Sequence, residues 1–347
     1  MRRLLYLGVA VSVAGCGPQA AAVGPSAAAY TIPATPSTQA ASPPANAAEE
    51  AILGPGGMTL RQEIGAVMMV GFKGPITPAI LADWRQHQFG GLIIVPINQN
   101  ATDPPAIRQL IQSVRGVMAH RVLTATNQEG GTVCFKETRV SCMAGARQVG
   151  SRSPEAVQTE MTTMSTGLKA LGFDINFAPV ADVWDGVHPP MSERSYGQNP
   201  QAVAQDVAAA IAGIHAAGIY AVAERLSAQT PQTGDWIPVQ AAIASHVEFV
   251  MASSSQLHML RTELGYQGVI ISDDLQLGPL SPEFPPPSAA VRFLANGGDM
   301  VIVSHDIAVA DATYDAIREA VLSGHYPRTQ LDASVTKLLN LGLRYMP

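Results

Sequence analysis

Short runs of apolar, β-prone residues recur along the chain and are separated by longer segments with helical character. Because nearly every position in each run is apolar, we expect strands that are covered on both faces, as in a parallel sheet. Eight β-α units of this kind predict an α/β fold of the (β/α)8 TIM-barrel type in one domain, with a doubly wound sheet as the alternative. The eight runs are Val67–Phe72, Gly91–Val95, Val122–Thr126, Asp174–Val180, Ile219–Glu224, Val247–Ser253, Gly268–Ser272 and Asp299–Ser304.

The segments between these runs carry recognisable helix boundaries. Ser153 followed by Pro154 is typical of a helix start, because proline fits the first helical turn. The alanine-rich stretch from Pro200 to Ala217 predicts a helix that ends at Gly218.

The first residues predict an export signal rather than part of the fold. Met1–Arg3 is basic, and Leu4–Val13 is apolar but too short to span a bilayer. The small residues Ala14 and Gly15 directly before Cys16 resemble a bacterial lipobox. We therefore expect a signal peptide over residues 1–15 and an acylated Cys16 that anchors the exported protein to the cell envelope membrane. An ordinary secreted protein cleaved near Ala14 or Gly15 is the alternative.

Composition separates a tether from a folded domain. Residues 16–57 are dominated by alanine, proline, serine and other small or polar residues, and such a stretch cannot bury a core. The barrel is therefore assigned to residues 58–347. The 347-residue chain has a formal net charge of -6 and only 14% charged residues, which argues against a nucleic-acid partner. We expect a monomer.

Polar side chains follow most of the predicted strands. In a barrel of this type the strand ends carry the chemistry, and carboxylates together with arginine suit glycosidic bond cleavage. For any single acid the alternative is a helix cap or a surface charge, and Asp274 is most simply a cap or a backbone brace. Neither a metal-ligand cluster nor a phosphate-binding glycine loop is evident, so we expect no metal and no cofactor. The polar groups are Asn127–Glu129, Asp182, Ser192–Tyr196, Glu224–Arg225, Ser253–Ser255, Ser272–Asp274 and Ser304–Asp306.

Several motifs together resemble glycoside hydrolase family 3, in its single-domain β-N-acetylglucosaminidase branch that trims peptidoglycan fragments. The resemblance extends over about residues 58–347. The motifs are Ile64–Gly65 with Met69–Phe72, Gly90–Ile93, Gln128–Gly131, Phe177–Val183, Glu193–Gly197, Glu263–Leu275 and Ala295–Asp299.

The resemblance implies roles for three residues. Asp273, the first aspartate of Ser-Asp-Asp, takes the position of the family nucleophile in a retaining mechanism. Arg194 takes the position of an arginine that contacts the sugar, and Asp182 that of a structural or supporting acid. We expect Arg194 and Arg225 to keep Asp273 ionised.

The chain also departs from the family pattern in its substrate contacts. Asn127 stands in place of an aspartate, Thr132 of an arginine, Glu224 and Arg225 of a Lys-His pair, and Ser254 of a histidine. We nevertheless expect Asn127, Arg225 and Ser254 to contact substrate. The loop over residues 226–238 contains no histidine, although the family's general acid/base histidine lies there. General acid/base catalysis is worth about 10²–10⁴-fold.

Two acids are candidates to replace that histidine. Asp235 lies in the altered loop and Glu224 at the end of the fifth strand; the alternatives are a turn residue and an ion pair, respectively. The sequence therefore leaves two functions open. The first is a hydrolase with reduced activity on cell-wall amino sugars, and the second is an inactive relative that binds a glycan or a protein partner.

Cys134 and Cys142 lie eight positions apart in a chain that we expect to be exported. In an oxidising compartment such a pair favours a disulfide beside the site, and two free buried thiols are the alternative.

Overall fold

The computed structural model describes residues 53–187, 189–224, 236–277 and 285–343. Eight parallel strands form a closed barrel in sequence order, with β8 paired to β1. The predicted (β/α)8 barrel is thereby confirmed, and each predicted run corresponds to one strand, with β7 extending beyond its run to Asp274. The strands are β1 Met68–Val70, β2 Gly91–Ile93, β3 Leu123–Thr126, β4 Ile175–Asn176, β5 Tyr220–Glu224, β6 Phe249–Ala252, β7 Val269–Asp274 and β8 Met300–Val303.

Every strand except β7 is shorter than its apolar run, most clearly β4. Its run continues into Ala178 and Pro179, and proline has no N–H to donate to a neighbouring strand. The chain nevertheless stays beside β5, because Val180 forms a parallel bridge with Glu224.

The helices surround the barrel. The predicted boundaries hold for two of them: the Ser153 hydroxyl accepts a hydrogen bond from the Ala156 N–H (3.3 Å), and Gly218 follows α7 with a φ of 74°. The helices are α1 Leu60–Ala66, α2 Pro78–His87, α3 Pro104–Arg115, α4 Ala146–Gly150, α5 Pro154–Leu171, α6 Pro189–Arg194, α7 Pro200–Ala216, α8 Ile237–Ala244, α9 Pro286–Ala295, α10 Ile307–Leu322 and α11 Arg328–Asn340.

Some predictions fall outside the described residues. These are the signal peptide, Cys16 and most of the tether, as well as Arg225 and Asp235 in the loop after β5. The last residues assigned to the tether, Pro55–Gly57, form a 3-10 turn that is part of the folded body. Within the described ranges, no helix combines the length and apolarity needed to cross a bilayer.

The interior of the barrel is apolar and closely packed. Met69 on β1 and Met300 on β8 are both fully buried. A Cβ at Gly91 would lie 2.9 Å from the Met69 methyl and 3.1 Å from the Met300 methyl. Gly91 therefore makes room for two large side chains, and the barrel is a packed core rather than a pore.

The same hydrogen bond, from a strand N–H to a carboxylate, occurs three times at the amino end of the barrel. This end lies opposite the strand ends that carry the polar motifs. The residues directly before β4, β6 and β8 are Asp174, Glu248 and Asp299. Each carboxylate accepts a backbone N–H from the preceding strand: from Thr124 (3.1 Å), Ala221 (3.3 Å) and Ile270 (2.8 Å). At the amino end of the barrel these contacts connect β3 to β4, β5 to β6, and β7 to β8.

Asp299 makes the most extensive of these contacts. It is 3% exposed, pairs with Arg261, and accepts hydrogen bonds from Lys337 Nζ (2.8 Å) and Ser334 (3.0 Å). These partners come from the segment after β6 and from α11, so one buried carboxylate joins two strands to two outer segments.

We expect Asp299→Ala to lower the free energy of unfolding by about 3–5 kcal/mol, because it leaves Arg261 and Lys337 without their shared counter-charge. Urea unfolding followed by circular dichroism measures the change. Asp315→Ala, at an exposed position on α10, is the matched control and should change stability by less than about 0.5 kcal/mol. Equal stability of the two variants would contradict the role given to Asp299.

Candidate active site

An arginine surrounded by acids lies at the carboxyl end of the barrel. Arg194, the last residue of α6, donates two hydrogen bonds of 2.7 Å to the two carboxylate oxygens of Glu129. It also donates one of 3.2 Å to Glu224 Oε2. Asp182 and Asp273 lie close enough to act on this group electrostatically. We call these five residues the Arg194 cluster.

The loop after β3 positions Glu129. Gly130 and Gly131 have positive φ angles of 106° and 54°, and a Cβ on Gly130 would lie 2.8 Å from the Met143 carbonyl oxygen. Gly131 donates its N–H to that same carbonyl at 2.8 Å. A disulfide joins Cys134 to Cys142 across the loop, with Cα atoms 6.2 Å apart. The loop is therefore closed on itself directly behind Glu129, which limits where the carboxylate can lie.

Glu224 is fixed by backbone contacts at the end of β5. Its N–H donates to the Pro179 carbonyl (2.9 Å), and its carbonyl accepts from the Ala181 N–H (2.8 Å). The side chain is 1% exposed. The ion pair with Arg194, which the sequence left as the alternative to an acid catalyst, is present.

A β-bulge presents Asp273. Between the pairs Ile271–Met300 and Asp274–Ile302, β7 uses one residue more than β8. The Ser272 hydroxyl accepts the Ile302 N–H (3.0 Å), and Asp273 is the one exposed residue of β7. Bulges of this kind redirect a side chain at the edge of a barrel. The bulge therefore aims the Asp273 carboxylate out of the barrel mouth.

Asp274 braces the backbone, as the sequence suggested. Its carboxylate accepts hydrogen bonds from the Ser304 hydroxyl, the Ser304 N–H (3.3 Å) and the Gln276 N–H (3.1 Å). It also lies 3.3 Å from His305 Nε2, and His305 Nδ1 lies 2.6 Å from Asn98 Oδ1. These contacts connect β7, β8 and the segment after β2, and they leave the neighbouring Asp273 facing the mouth.

Burial raises the pKa of three carboxyl groups in the cluster, those of Glu129, Glu224 and Asp273. Burial first, and then repulsion from Glu129 and Asp273, raises the pKa of Glu224 well above its usual range, against the pull of Arg194. Burial also raises the pKa of Asp273, although the Asp274 N–H and Arg194 oppose it. The sequence predicted that nearby cations would keep Asp273 ionised. Arg194 favours the ionised form as predicted, and partial burial at the barrel mouth opposes it.

The structure brings only some of the predicted residues together. Asn127 lies beside the Arg194 cluster, where its amide lowers the pKa of Glu129. Ser254 lines a cavity of about 420 Å³ together with Arg261 and Arg292. Glu129 was not predicted as a site residue, because its role depends on Arg194, which lies 65 positions further along the chain.

The described part of the chain offers no grouping of three or more His, Cys, Asp or Glu side chains suited to a metal ion. The carboxylates of the Arg194 cluster are organised around the guanidinium instead.

Comparisons with known proteins identify the family of the chain. The model for the glycosyl hydrolase family 3 N-terminal domain matches residues 59–235 and 224–341, which is most of the chain. The chain belongs to glycosyl hydrolase family 3. A β-hexosaminidase of Stenotrophomonas maltophilia is 24% identical over 290 residues, covering 72% of this chain and 86% of the relative.

Solved structures of glycosyl hydrolase family 3 share the barrel. A family 3 β-N-acetylglucosaminidase of Paenibacillus has a TM-score of 0.77 and 27% identity, covering 82% of this chain and 62% of that one. This chain therefore spans less than two thirds of the Paenibacillus protein. A β-N-acetylhexosaminidase of Beutenbergia cavernae, at 23% identity and a TM-score of 0.73, has the same fold over 82% of this chain and 98% of its own.

The raised pKa of Glu224 predicts a pH-dependent effect of Glu224→Gln on stability. As the pH rises above 4.5, the unfolded chain releases this proton, whereas the folded chain holds it until the raised pKa is reached. Wild-type stability therefore falls through this interval, and the glutamine variant lacks that loss. We expect Glu224→Gln to gain on the wild type by up to about 1.4 kcal/mol per pH unit.

Thermal unfolding of both proteins between pH 4.5 and pH 8.5 measures this difference. Glu319→Gln, on the exposed face of α10, is the matched control and should give a flat difference. A Glu224→Gln variant whose difference from wild type does not grow with pH would show that Glu224 is ionised in the folded protein.

Proposed function

We propose that this family 3 protein is a retaining glycosidase of the β-N-acetylhexosaminidase type that acts on amino sugars of the cell wall, with Asp273 as its nucleophile. The observation that carries the proposal is the β7 bulge, which directs an exposed Asp273 into the mouth beside the Arg194 cluster. The names of the Stenotrophomonas and Paenibacillus relatives support the sugar class.

The reaction takes two displacements at the anomeric carbon. In the first, a carboxylate oxygen of Asp273 forms a bond to the anomeric carbon, while the bond to the glycosidic oxygen breaks and that oxygen takes up a proton. In the second, water replaces Asp273 at the same carbon and loses a proton, so the configuration is retained. Arg194, held by Glu129, is oriented to contact the sugar.

The donor of the first proton decides how fast natural substrates react. Glu224 is almost fully buried and bound to Arg194, so we assign it to the floor of the sugar site rather than to the open side, where the leaving group departs. Asp235 lies outside the described residues and is the candidate acid. Without the usual histidine, we expect reduced activity on leaving groups that need a proton.

An aryl N-acetylglucosaminide should therefore be the best N-acetylated substrate, because its leaving group scarcely needs protonation. We expect slow release of the aryl alcohol, no measurable cleavage of unactivated disaccharides, and no activity in Asp273→Ala. The acid limb of the pH profile should lie above the usual range for an aspartate, since the pKa of Asp273 is raised. A fluorinated, activated N-acetylglucosaminide should add one glycosyl group to the wild type, as read by intact mass.

Two substitutions distinguish Asp235 from Glu224 as the general acid. Asp235→Asn should reduce cleavage of natural glycosides far more than of aryl glycosides, whereas Glu224→Gln should reduce both to a similar extent. Rapid cleavage of a natural muropeptide that is unaffected by Asp235→Asn would refute the assignment.

A glycan-binding role without catalysis is the second candidate. It is favoured by the excess of acids in the Arg194 cluster. Among the described residues of that cluster, Arg194 is the one cation, and it pairs with Glu129 and Glu224. Complete inertness towards aryl glycosides with retained sugar binding would establish this alternative.

We also propose that Cys16 carries a lipid anchor and that residues 16–57 hold the barrel away from the membrane. The support is the lipobox-like sequence that ends at Cys16. Wild-type protein should sediment with membranes, whereas Cys16→Ser should be released or remain unprocessed. Fully processed wild type that is soluble in the exported fraction would remove the proposal.

A further inference from the structure

Two backbone acceptors hold the loop that carries Glu129. The Glu129 N–H donates to the Val133 carbonyl (3.1 Å), so the chain turns back on itself immediately after the acid. The Gly131 N–H donates to the Met143 carbonyl (2.8 Å), which connects the turn to a segment further along the chain. The position of Glu129 therefore depends on where these two carbonyl groups lie.

The disulfide joins the immediate neighbours of the two acceptors. Cys134 directly follows Val133, and Cys142 directly precedes Met143. Residues 139–145 form neither helix nor strand, so this stretch lacks the hydrogen-bond ladder of a regular element. The sulfur–sulfur bond therefore limits how far the two acceptors can separate.

The segment after the second cysteine, residues 143–145, also touches the helix that carries Arg194. A Cβ on Gly145 would lie 3.4 Å from the carbonyl oxygen of Glu193, the residue directly before Arg194. The loop after β3 approaches the same glycine, because a Cβ on Gly131 would lie 2.8 Å from Gly145 Cα. The 143–145 segment is thus in contact with both the loop after β3 and α6.

The ion pair between Glu129 and Arg194 connects these two parts. Arg194 Nε and Nη2 donate to the two carboxylate oxygens at 2.7 Å each, and a two-point contact of this kind fixes the plane of the guanidinium. Both hydrogen bonds need short distances and near-linear geometry. A shift of the 143–145 segment would therefore displace one partner against the other and turn the guanidinium.

We propose that the Cys134–Cys142 disulfide positions Arg194 through Glu129, and that its reduction weakens the contact between Arg194 and the sugar. Reduction by a dithiol breaks the sulfur–sulfur bond and forms two thiols, while the dithiol loses two electrons and two protons and becomes a disulfide. Both cysteines are partly exposed, which favours attack by a small dithiol. The inference rests on the proposed function, because it concerns the sugar contact of Arg194.

Steady-state kinetics with an aryl N-acetylglucosaminide tests the proposal on the full-length protein, before and after treatment with dithiothreitol. We expect reduction to raise KM about tenfold or more, because the sugar loses a well-oriented charged contact, and reoxidation to restore it. A disulfide that only stabilises the fold would lower the active fraction, and therefore kcat, at constant KM. An unchanged KM after reduction, or free thiols in the untreated exported protein, would overturn the inference.

A double-mutant cycle tests the route through Glu129. The variant with Cys134→Ser and Cys142→Ser should behave like the reduced wild type, and Glu129→Gln should raise KM by itself. Combining them should add little, because both changes act on the same contact. In a Glu319→Gln background, altered at an exposed position on α10, the serine substitutions should keep their full effect. Additive effects with Glu129→Gln would overturn the inference, and reduction of the wild type decides the matter if the serine variant folds poorly.

Hydrogen exchange read by mass spectrometry separates this inference from the proposed function, because it needs no substrate. Reduction should speed exchange both in the peptide that contains Glu129 and in the peptide that contains Arg194, 65 positions away, and should leave the peptide around Asp299 unchanged. Faster exchange at the loop alone would overturn the inference even in an active enzyme. Faster exchange at both places in a protein that cleaves no aryl glycoside would support the positioning of Arg194 and remove catalysis.

Discussion

The site depends on one arginine placed among buried carboxylates. Arg194 makes a two-point contact with Glu129 and a single contact with Glu224. A buried carboxylate without a counter-charge is strongly unfavourable, so the two glutamates need either this guanidinium or a proton. Burial raises the pKa of both glutamates, and Arg194 opposes this rise in each of them. The two carboxylates therefore depend on one shared guanidinium for their negative charge.

Buried carboxylates have different roles at the two ends of the barrel. At the amino end, Asp174 is matched by Arg115 and Arg121, and Asp299 by Arg261 and Lys337, and each carboxylate accepts a strand N–H. At the carboxyl end, Glu224 shares Arg194 with Glu129, and its second oxygen has no hydrogen-bond partner among the described residues. A carboxylate whose oxygens are both paired stabilises the fold, whereas a carboxylate with an unpaired oxygen can bind a ligand. This division agrees with the placement of chemistry at the carboxyl end of such barrels.

The sequence was sufficient for the strand order and the polar strand ends, because a parallel barrel buries continuous apolar runs that local composition reveals. Asp273, Arg194 and Asn127 were found through motifs at those ends. The contact between Glu129 and Arg194 was not, since it joins residues on different loops. Neighbouring cations were predicted to favour the ionised form of Asp273; the opposing effect of burial on its pKa could not be predicted, because burial is a property of the assembled mouth. Ser254, which was expected near the sugar, lines a cavity together with Arg261.

The bulge in β7 has a consequence for how this site can change over generations. The direction of Asp273 is set by one extra residue between Ile271 and Asp274, and the side chains of Ser272 and Asp274 hold this bulge against the β8 side. Point substitutions in the loops after β3 and β5 can therefore exchange partners, charges and ligands while the attacking carboxylate keeps its direction. An insertion or deletion within β7, by contrast, would turn the Asp273 side chain away from the barrel mouth. The scaffold thus separates an inherited reactive position from a surrounding that is open to new specificities.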